Sequence, residues 1–152
     1  MVERFERFSL AISDISRYWH KIAAEEMEKY DLKGTHSIYL TVLYRYPEGV
    51  TAAKLCELCG RDKAEVSRTL AIMEKKGLVS KAGNSYRALL YLTDTGKLAA
   101  EHVRQRAALA VEVAGKDLSD EHRKIFYSAL ESITYNLKTI SEAGLPVSKI
   151  KE

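Results

Sequence analysis

Long apolar runs are missing from these 152 residues. A helix that spans a bilayer needs about 20 consecutive apolar residues, and no stretch approaches that. The N-terminus, Met1-Val-Glu-Arg-Phe-Glu-Arg-Phe8, is charged and amphipathic and lacks the apolar centre of a secretion signal. The chain is therefore expected in the cytoplasm, with no membrane partner. Cysteine is scarce: Cys56 and Cys59, three positions apart, are no disulfide framework. Catalytic signatures are missing as well. There is no phosphate-binding P-loop, no Gly-x-Gly-x-x-Gly, no nucleophile elbow and no His-Glu-x-x-His, so nothing in the sequence proposes an enzyme or a cofactor. Internal repeats and low-complexity segments are also absent. What remains, 46% hydrophobic and 30% charged residues, is the composition of a folded protein and not of a disordered one.

Periodicity organises the rest. Phe5, Phe8, Ile12, Ile15, Trp19 and Ile22 follow at spacings of 3 and 4, which marks one apolar stripe on a long helix, expected from Glu3 to Tyr30. Lys33-Gly34 breaks it. A second helix is expected from Thr35 to Tyr46, stopped by the turn residues Pro47-Glu48-Gly49. Thr51 suits the N-cap of a third helix that ends near Cys59-Gly60. Asp62 and Glu65 form an Asp-x-x-Glu start for a fourth, close to a capping box, with Val66, Leu70 and Met73 on its buried side. Gly77 fits the left-handed position after that helix. Two short strands, about Val79–Lys81 and Ala88–Leu92, flank a turn at Gly83-Asn84. Thr93 or Asp94 caps a fifth helix running to about Gly115, and Ser119 caps a sixth carrying Leu130, Ile133, Leu137 and Ile140 at helical spacing.

The expected fold is mainly α: a winged helix-turn-helix with a small β-hairpin wing and long N- and C-terminal dimerisation helices. The divisions are an N-terminal dimerisation helix over residues 1–33, the winged helix-turn-helix over 34–96, C-terminal dimerisation helices over 97–143 and a flexible tail over 144–152. A helix-turn-helix followed by a hairpin is a compact way to hold one helix against a DNA groove. The first and the last two helices carry more apolar surface than a small winged-helix core can bury, and such leftover faces pack against a partner. A two-fold dimer with interleaved termini follows. The net charge of +3 says little, but its distribution says more: from Arg61 to Lys97 eight bases face four acids, leaving the rest of the chain at minus one. A phosphate-facing surface requires that concentration; a solvated basic face would also show it.

Three segments, Asp62-Lys-Ala-Glu-Val-Ser-Arg68, Met73-Glu-Lys-Lys-Gly-Leu-Val79 and Leu92-Thr-Asp-Thr-Gly96, occur in the order and spacing that resemble the MarR family of winged-helix regulators, and the likeness extends over nearly the whole chain. The resemblance implies a homodimer on a palindromic double-stranded operator, usually a repressor, released by a small molecule, an oxidant or a metal.

With the fourth helix in a major groove, Lys63, Ala64, Ser67, Arg68 and Ala71 lie on its exposed side. Arg68, whose planar fork suits a guanine edge or a phosphate, is the leading contact. Glu65, where the family more often has a small or hydroxyl residue, is read as part of the cap. In the wing, Lys81, Asn84 and Arg87 are the candidates; Asn84 stands where the family writes Asp, and Arg87 falls one residue late of the usual arginine. That slip reverses a side chain's face and leaves open whether Arg87 reaches the minor groove. Cys56 and Cys59 read as small apolar residues of the third helix, the alternative being a redox switch. By resemblance, an effector pocket lies between the first, second and fifth helices, with Tyr18, Trp19, His36 and Tyr39 as candidate lining for a small aromatic or phenolic effector. His36 and His102 with an acid such as Glu25 form the alternative, a metal site. The function expected is that of a DNA-binding transcriptional regulator, with a redox- or metal-responsive stress regulator and a winged-helix protein-interaction module as the other readings.

Overall fold

The computed structural model describes residues 3–83 and 87–147. Asn84 of the expected wing tip lies outside the described residues. The chain forms two compact units, Met1–Leu109 and Ala110–Glu152.

In the first unit, α1 (Arg4–Glu28) opens where the Glu3 N–H donates to the Glu6 carboxylate at 2.9 Å, satisfying one of the donors every helix start leaves over. It stops short of the expected Tyr30, because Asp31 turns left-handed with φ 52°. A 3₁₀ turn (Gly34–His36) leads into α2 (Ser37–Tyr44). The sequence suggested one continuous helix there; the tighter turn instead brings Gly34 against Ala24, where a Cβ would stand 2.9 Å from the Ala24 nitrogen. Next come α3 (Ala52–Cys59) and α4 (Lys63–Lys75), the helix-turn-helix. Thr51 caps α3 by accepting from Lys54 N at 3.2 Å, and Asp62 caps α4 by accepting from Glu65 N at 2.8 Å. Only that half of the expected capping box is seen at α4; the Glu65 carboxylate turns to Arg61, 3.7 Å from its Nε.

The wing is β2 (Val79–Ala82) and β3 (Leu89–Leu92), antiparallel, with Val79 opposite Leu92 and Ala82 opposite Leu89. A third strand, β1 (Val50–Thr51), pairs with β3 on its other side. It escaped the sequence reading because two residues carry no periodicity, and one of them, Thr51, doubles as the cap of α3.

The end of α4, the start of the wing and the start of α5 (Asp94–Ala114) meet at one point. Gly77, at φ 72°, lets the Leu78 N–H return to the Met73 carbonyl at 2.9 Å and its own N–H to Glu74 at 3.0 Å, the paired bonds of a left-handed helix end. Thr93 then does three things: its N–H bonds the Leu78 carbonyl at 3.1 Å, its hydroxyl donates to the Gly77 carbonyl, and the same oxygen accepts from Gly96 N to cap α5. Gly96 has no side chain to spare: a Cβ there would stand 2.0 Å from the Leu78 oxygen. One apolar cluster, from Met27 through Tyr39, Leu43, Leu55, Val66 and Met73 to Leu90 and Val103, backs all of these elements.

In the second unit, α6 (Asp120–Ala143) is capped by Ser119, which accepts from His122 N at 3.2 Å. Arg123 pins the preceding turn, reaching Glu112 at 2.8 Å and the Gly115 carbonyl at 2.9 Å. No α6 residue is buried. Among the described residues, no helix is long and apolar enough to cross a membrane.

Because the Gly96 contact is with backbone, which cannot swing aside, Gly96→Ala is expected to lower unfolding free energy by about 3 kcal/mol. The control Gly115→Ala, whose new Cβ would meet the Val111 carbonyl only at 3.5 Å, is expected to change little; urea unfolding of the two compares them.

Candidate nucleic-acid interface

Helix α4 shows two exposed rows. Lys63, Ser67 and Ala71 recur every four residues and, with Glu74, form one wall of a groove of about 630 Å³. Ala52, Ala53 and Cys56 of α3, Lys81 of β2 and Leu90 of β3 line it as well, with the edges of Val66 and Leu70 beneath. Ala64 and Arg68 stand exposed one position further round the helix. Val66, Thr69, Leu70 and Met73 face the core, which fixes this orientation. The structure therefore brings Lys63, Ser67, Ala71 and Lys81 together and sets Ala64 and Arg68 beside them. Arg87 is exposed at the foot of β3.

Lys63, Arg68 and Lys81 carry free charge at or beside this groove. None of the described residues pairs with Lys63, Arg68 or Lys81. Lys76 is committed to Asp31 at 2.6 Å, and Arg61 lies near Glu65. Small side chains at 64, 67 and 71 leave the α4 backbone open to close approach, while Lys63 of α4 and Lys81 of β2 both line the groove. Unpaired bases around a shallow, small-residue surface are what phosphate oxygens and base edges require of a binding face. Glu74 is the one acid on the groove. It and the α3 residues were missed from sequence, since only the packing of α3 against α4 puts them there.

Cys56 is half-buried and Cys59 buried, both as free thiols. Burial pushes the Cys59 thiol up to about 11, away from the thiolate that oxidation and metal binding need. This supports the apolar reading of Cys59.

A second cavity, of about 280 Å³, lies between α1, the 3₁₀ turn, α2 and α5. Of the four residues expected there, Trp19 lines it. Tyr18 points elsewhere, over its neighbour Arg17. His36 and Tyr39 are core residues: His36 accepts from Lys33 N at 3.3 Å and meets the Tyr39 ring edge-on, and burial lowers its pKa. The Tyr39 hydroxyl is buried without a hydrogen bond; Thr69 approaches it from α4 without reaching bonding geometry. His20, Glu26, Thr41 and Arg61 line the cavity instead. Glu26 had left a trace: it occupies the next position of the α1 stripe after Ile15, Trp19 and Ile22, where a carboxylate is out of place.

Glu26 is nevertheless well held. It accepts from Lys29 at 2.7 Å, Arg106 at 2.9 Å and His102 at 3.1 Å, tying α1 to α5. Those bonds, Lys29's first, bring its pKa down to about 2. His102 thus faces Glu26 and not Glu25, and among the described residues no three His, Cys, Asp or Glu side chains gather as a metal would need.

Residues 30–87 match the model of the MarR family. No curated protein sequence is significantly similar to the chain. Among solved structures, a MarR transcriptional regulator from Methanosarcina mazei Go1 is 22% identical with a TM-score of 0.80, covering 92% of this chain and 94% of its own. A Listeria monocytogenes protein assigned to the MarR family and solved with a 26mer DNA is 23% identical with a TM-score of 0.74, over 97% and 99%. MepR of Staphylococcus aureus in its DNA-binding conformation is 21% identical with a TM-score of 0.75, over 86% and 98%. At these identities the structural likeness is one of fold; with the matched model it bears out the resemblance read from the three sequence segments.

Two outcomes follow. A group whose pKa falls on folding stabilises the fold above its unfolded value and stops doing so as pH drops through its folded one. Glu26→Gln is therefore expected to cost about 1–3 kcal/mol at pH 7, and the gap to the parent protein should close as pH falls from about 4.5 to about 2, followed by urea titration at each pH. Under native conditions iodoacetamide should alkylate Cys56 before Cys59, as read by peptide mass spectrometry.

Proposed function

We propose that this chain, which has the MarR-family fold and matches that family's model over residues 30–87, is a DNA-binding transcriptional regulator that works as a homodimer on a palindromic operator. The observation that carries the reading is the set of unpaired bases, Lys63, Arg68 and Lys81, around the small-residue face of α4. In this reading α4 enters the major groove. Arg68 reads a guanine edge or grips a phosphate, Ser67 reaches a base or phosphate, Ala64 and Ala71 allow close approach, and Lys63, Lys81 and Arg87 hold the backbone. Asn84 belongs with them by its place in the wing.

The homodimer is supported by apolar surface without a partner. Phe5, Ile15 and Ile22 of α1 and Ile125, Phe126 and Leu130 of α6 all stand exposed. Residues 1–33 and 97–143 are accordingly the proposed dimerisation segments. Two α4 helices about 34 Å apart would address successive major grooves of one duplex face. Repression, with release when a small molecule fills the cavity beside Trp19, completes the proposal. Such a ligand acts through its difference in affinity for the two dimer shapes.

The test is fluorescence anisotropy with duplex DNA from upstream of the protein's own reading frame, at several salt concentrations. The parent protein should bind with log affinity falling linearly in log salt, by about 0.9 per phosphate contacted. Arg68→Ala should lose about 1–3 kcal/mol and some sequence preference. Lys81→Ala should weaken all duplexes alike and flatten the slope by about one unit. Salt-independent binding, or equal binding by the parent protein and Arg68→Ala, would refute the reading in favour of a protein-interaction module.

A further inference from the structure

Glu74 is a carboxylate that the fold does not use. It is exposed, and none of the described residues forms an ion pair with it. The helix neighbours within reach, three and four positions away, are Leu70, Ala71, Gly77 and Leu78, none of them a cation. Glu74 also stands in the last turn of α4, where the negative end of the helix dipole disfavours a carboxylate. The nearby Lys76 is taken by Asp31.

Its surroundings are those of the groove. Glu74 lines it together with Lys63, Ser67 and Ala71 of the same helix and Lys81 of β2. The eleven positions from Lys63 to Glu74 place the two about 16 Å apart along the helix axis, twice the screening length of about 8 Å at physiological salt. Lys63 therefore does not neutralise it, and Lys81 makes no ion pair with it. An ionised carboxylate only accepts hydrogen bonds. Phosphate oxygens only accept as well, so Glu74 repels the backbone that the lysines attract. The duplex groups that can satisfy it are exocyclic amino groups, cytosine N4 and adenine N6, both displayed in the major groove.

We propose that Glu74 is a specificity-determining residue of this interface. It rejects a register that sets a phosphate or an acceptor-only base edge against the end of α4, and it accepts one that sets a cytosine or adenine amino group there. Lys63 and Lys81 attract every duplex alike; Glu74 makes that attraction conditional on sequence. The inference rests on the regulator reading, which puts α4 in the major groove, and adds to it a group that discriminates by repulsion as well as by bonding.

The test compares the duplex from upstream of the reading frame with a shuffled duplex of the same composition, by fluorescence anisotropy over a range of salt. Glu74→Gln keeps the shape and removes the charge. It should bind the shuffled duplex more tightly, with a salt slope steeper by up to about 0.9, and gain nothing on the upstream duplex. The ratio of the two affinities should fall about tenfold, the scale of one base contact. Glu101→Gln removes the same charge from an exposed position on α5 that lines neither cavity; it should leave the ratio unchanged. Single base-pair substitutions should place the preference lost in Glu74→Ala at one C·G or A·T pair in each half-site. Urea unfolding should find Glu74→Gln no less stable than the parent protein. A ratio unchanged in Glu74→Gln, an equal fall in Glu101→Gln, preference lost at every position alike, or a destabilised Glu74→Gln would each overturn the proposal while the parent protein still prefers the upstream duplex. A parent protein that binds neither duplex overturns the regulator reading and this inference together.

Discussion

Thr93 and Gly96 hold the helix-turn-helix and the wing in one piece. The Thr93 backbone and hydroxyl bond the carbonyls of Leu78 and Gly77, while Gly96 lets the start of α5 lie directly on the Leu78 carbonyl. Both carbonyls belong to the turn that ends α4. The exposed row of α4 and the lysine on β2 are therefore fixed relative to each other by backbone bonds, not by long side chains. A binding surface made of residues distant in sequence needs such rigidity, since each side chain left to find its place costs entropy on binding. The short Leu-Thr-x-x-Gly segment is thus a joint, and its residue types follow from the joint's geometry: a hydroxyl that both donates and accepts, and a residue with no Cβ.

The charges divide into those that build the fold and those left over. Glu26 gathers Lys29, His102 and Arg106, Asp31 takes Lys76, and Glu112 takes Arg123. Exposed pairs of this sort contribute little stability individually; Glu26, only 12% exposed in its side chain and triply bonded, is the exception. Pairing decides which cations remain available. Counting bases from Arg61 to Lys97 locates the positive region but includes Lys76, which the fold has already used. Pairing removes Arg61 and Lys76 and leaves Lys63, Arg68, Lys75, Lys81 and Lys97 without a described partner; of these, Lys63 and Lys81 line the groove and Arg68 stands beside it.

Much of this was legible in the residues, for a physical reason in each case. The stripes of α1 and α6, the caps at Thr51, Asp62 and Ser119 and the left-handed Gly77 all express local rules that act within one turn. What stayed hidden depends on neighbours. The segment Ser37-Ile-Tyr-Leu-Thr-Val-Leu-Tyr44 is apolar almost all round, with Tyr39, Leu40, Val42 and Leu43 all buried, so it has no phase to say which side faces a cavity. His36 and Tyr39 were accordingly expected in the lining and belong to the core. The converse error concerns Glu26 and Arg61. Charged residues in helices and turns are ordinarily solvated, and only the packing of α1 on the 3₁₀ turn at Gly34 makes the cavity that these two line.

The apolar stripe of α6 presses the argument beyond one chain. A 24-residue helix with no buried residue gains little from propensity alone, since helix stability in proteins comes mostly from packing an amphipathic face. Fully burying a Leu, Ile or Phe side chain contributes about 1.5–3 kcal/mol, and α6 leaves Ile125, Phe126, Leu130, Ile133 and Leu137 between 38% and 59% exposed, forgoing part of that at each. The α1 stripe, in the other unit, is in the same position. The proposed homodimer would answer each, since a second copy carries stripes of the same length and character. In the proposed homodimer, folding of these helices and association would be one event. The spacing of the two α4 helices would then be set by the packing that makes the terminal helices stable, and a ligand would act by favouring one such packing over another.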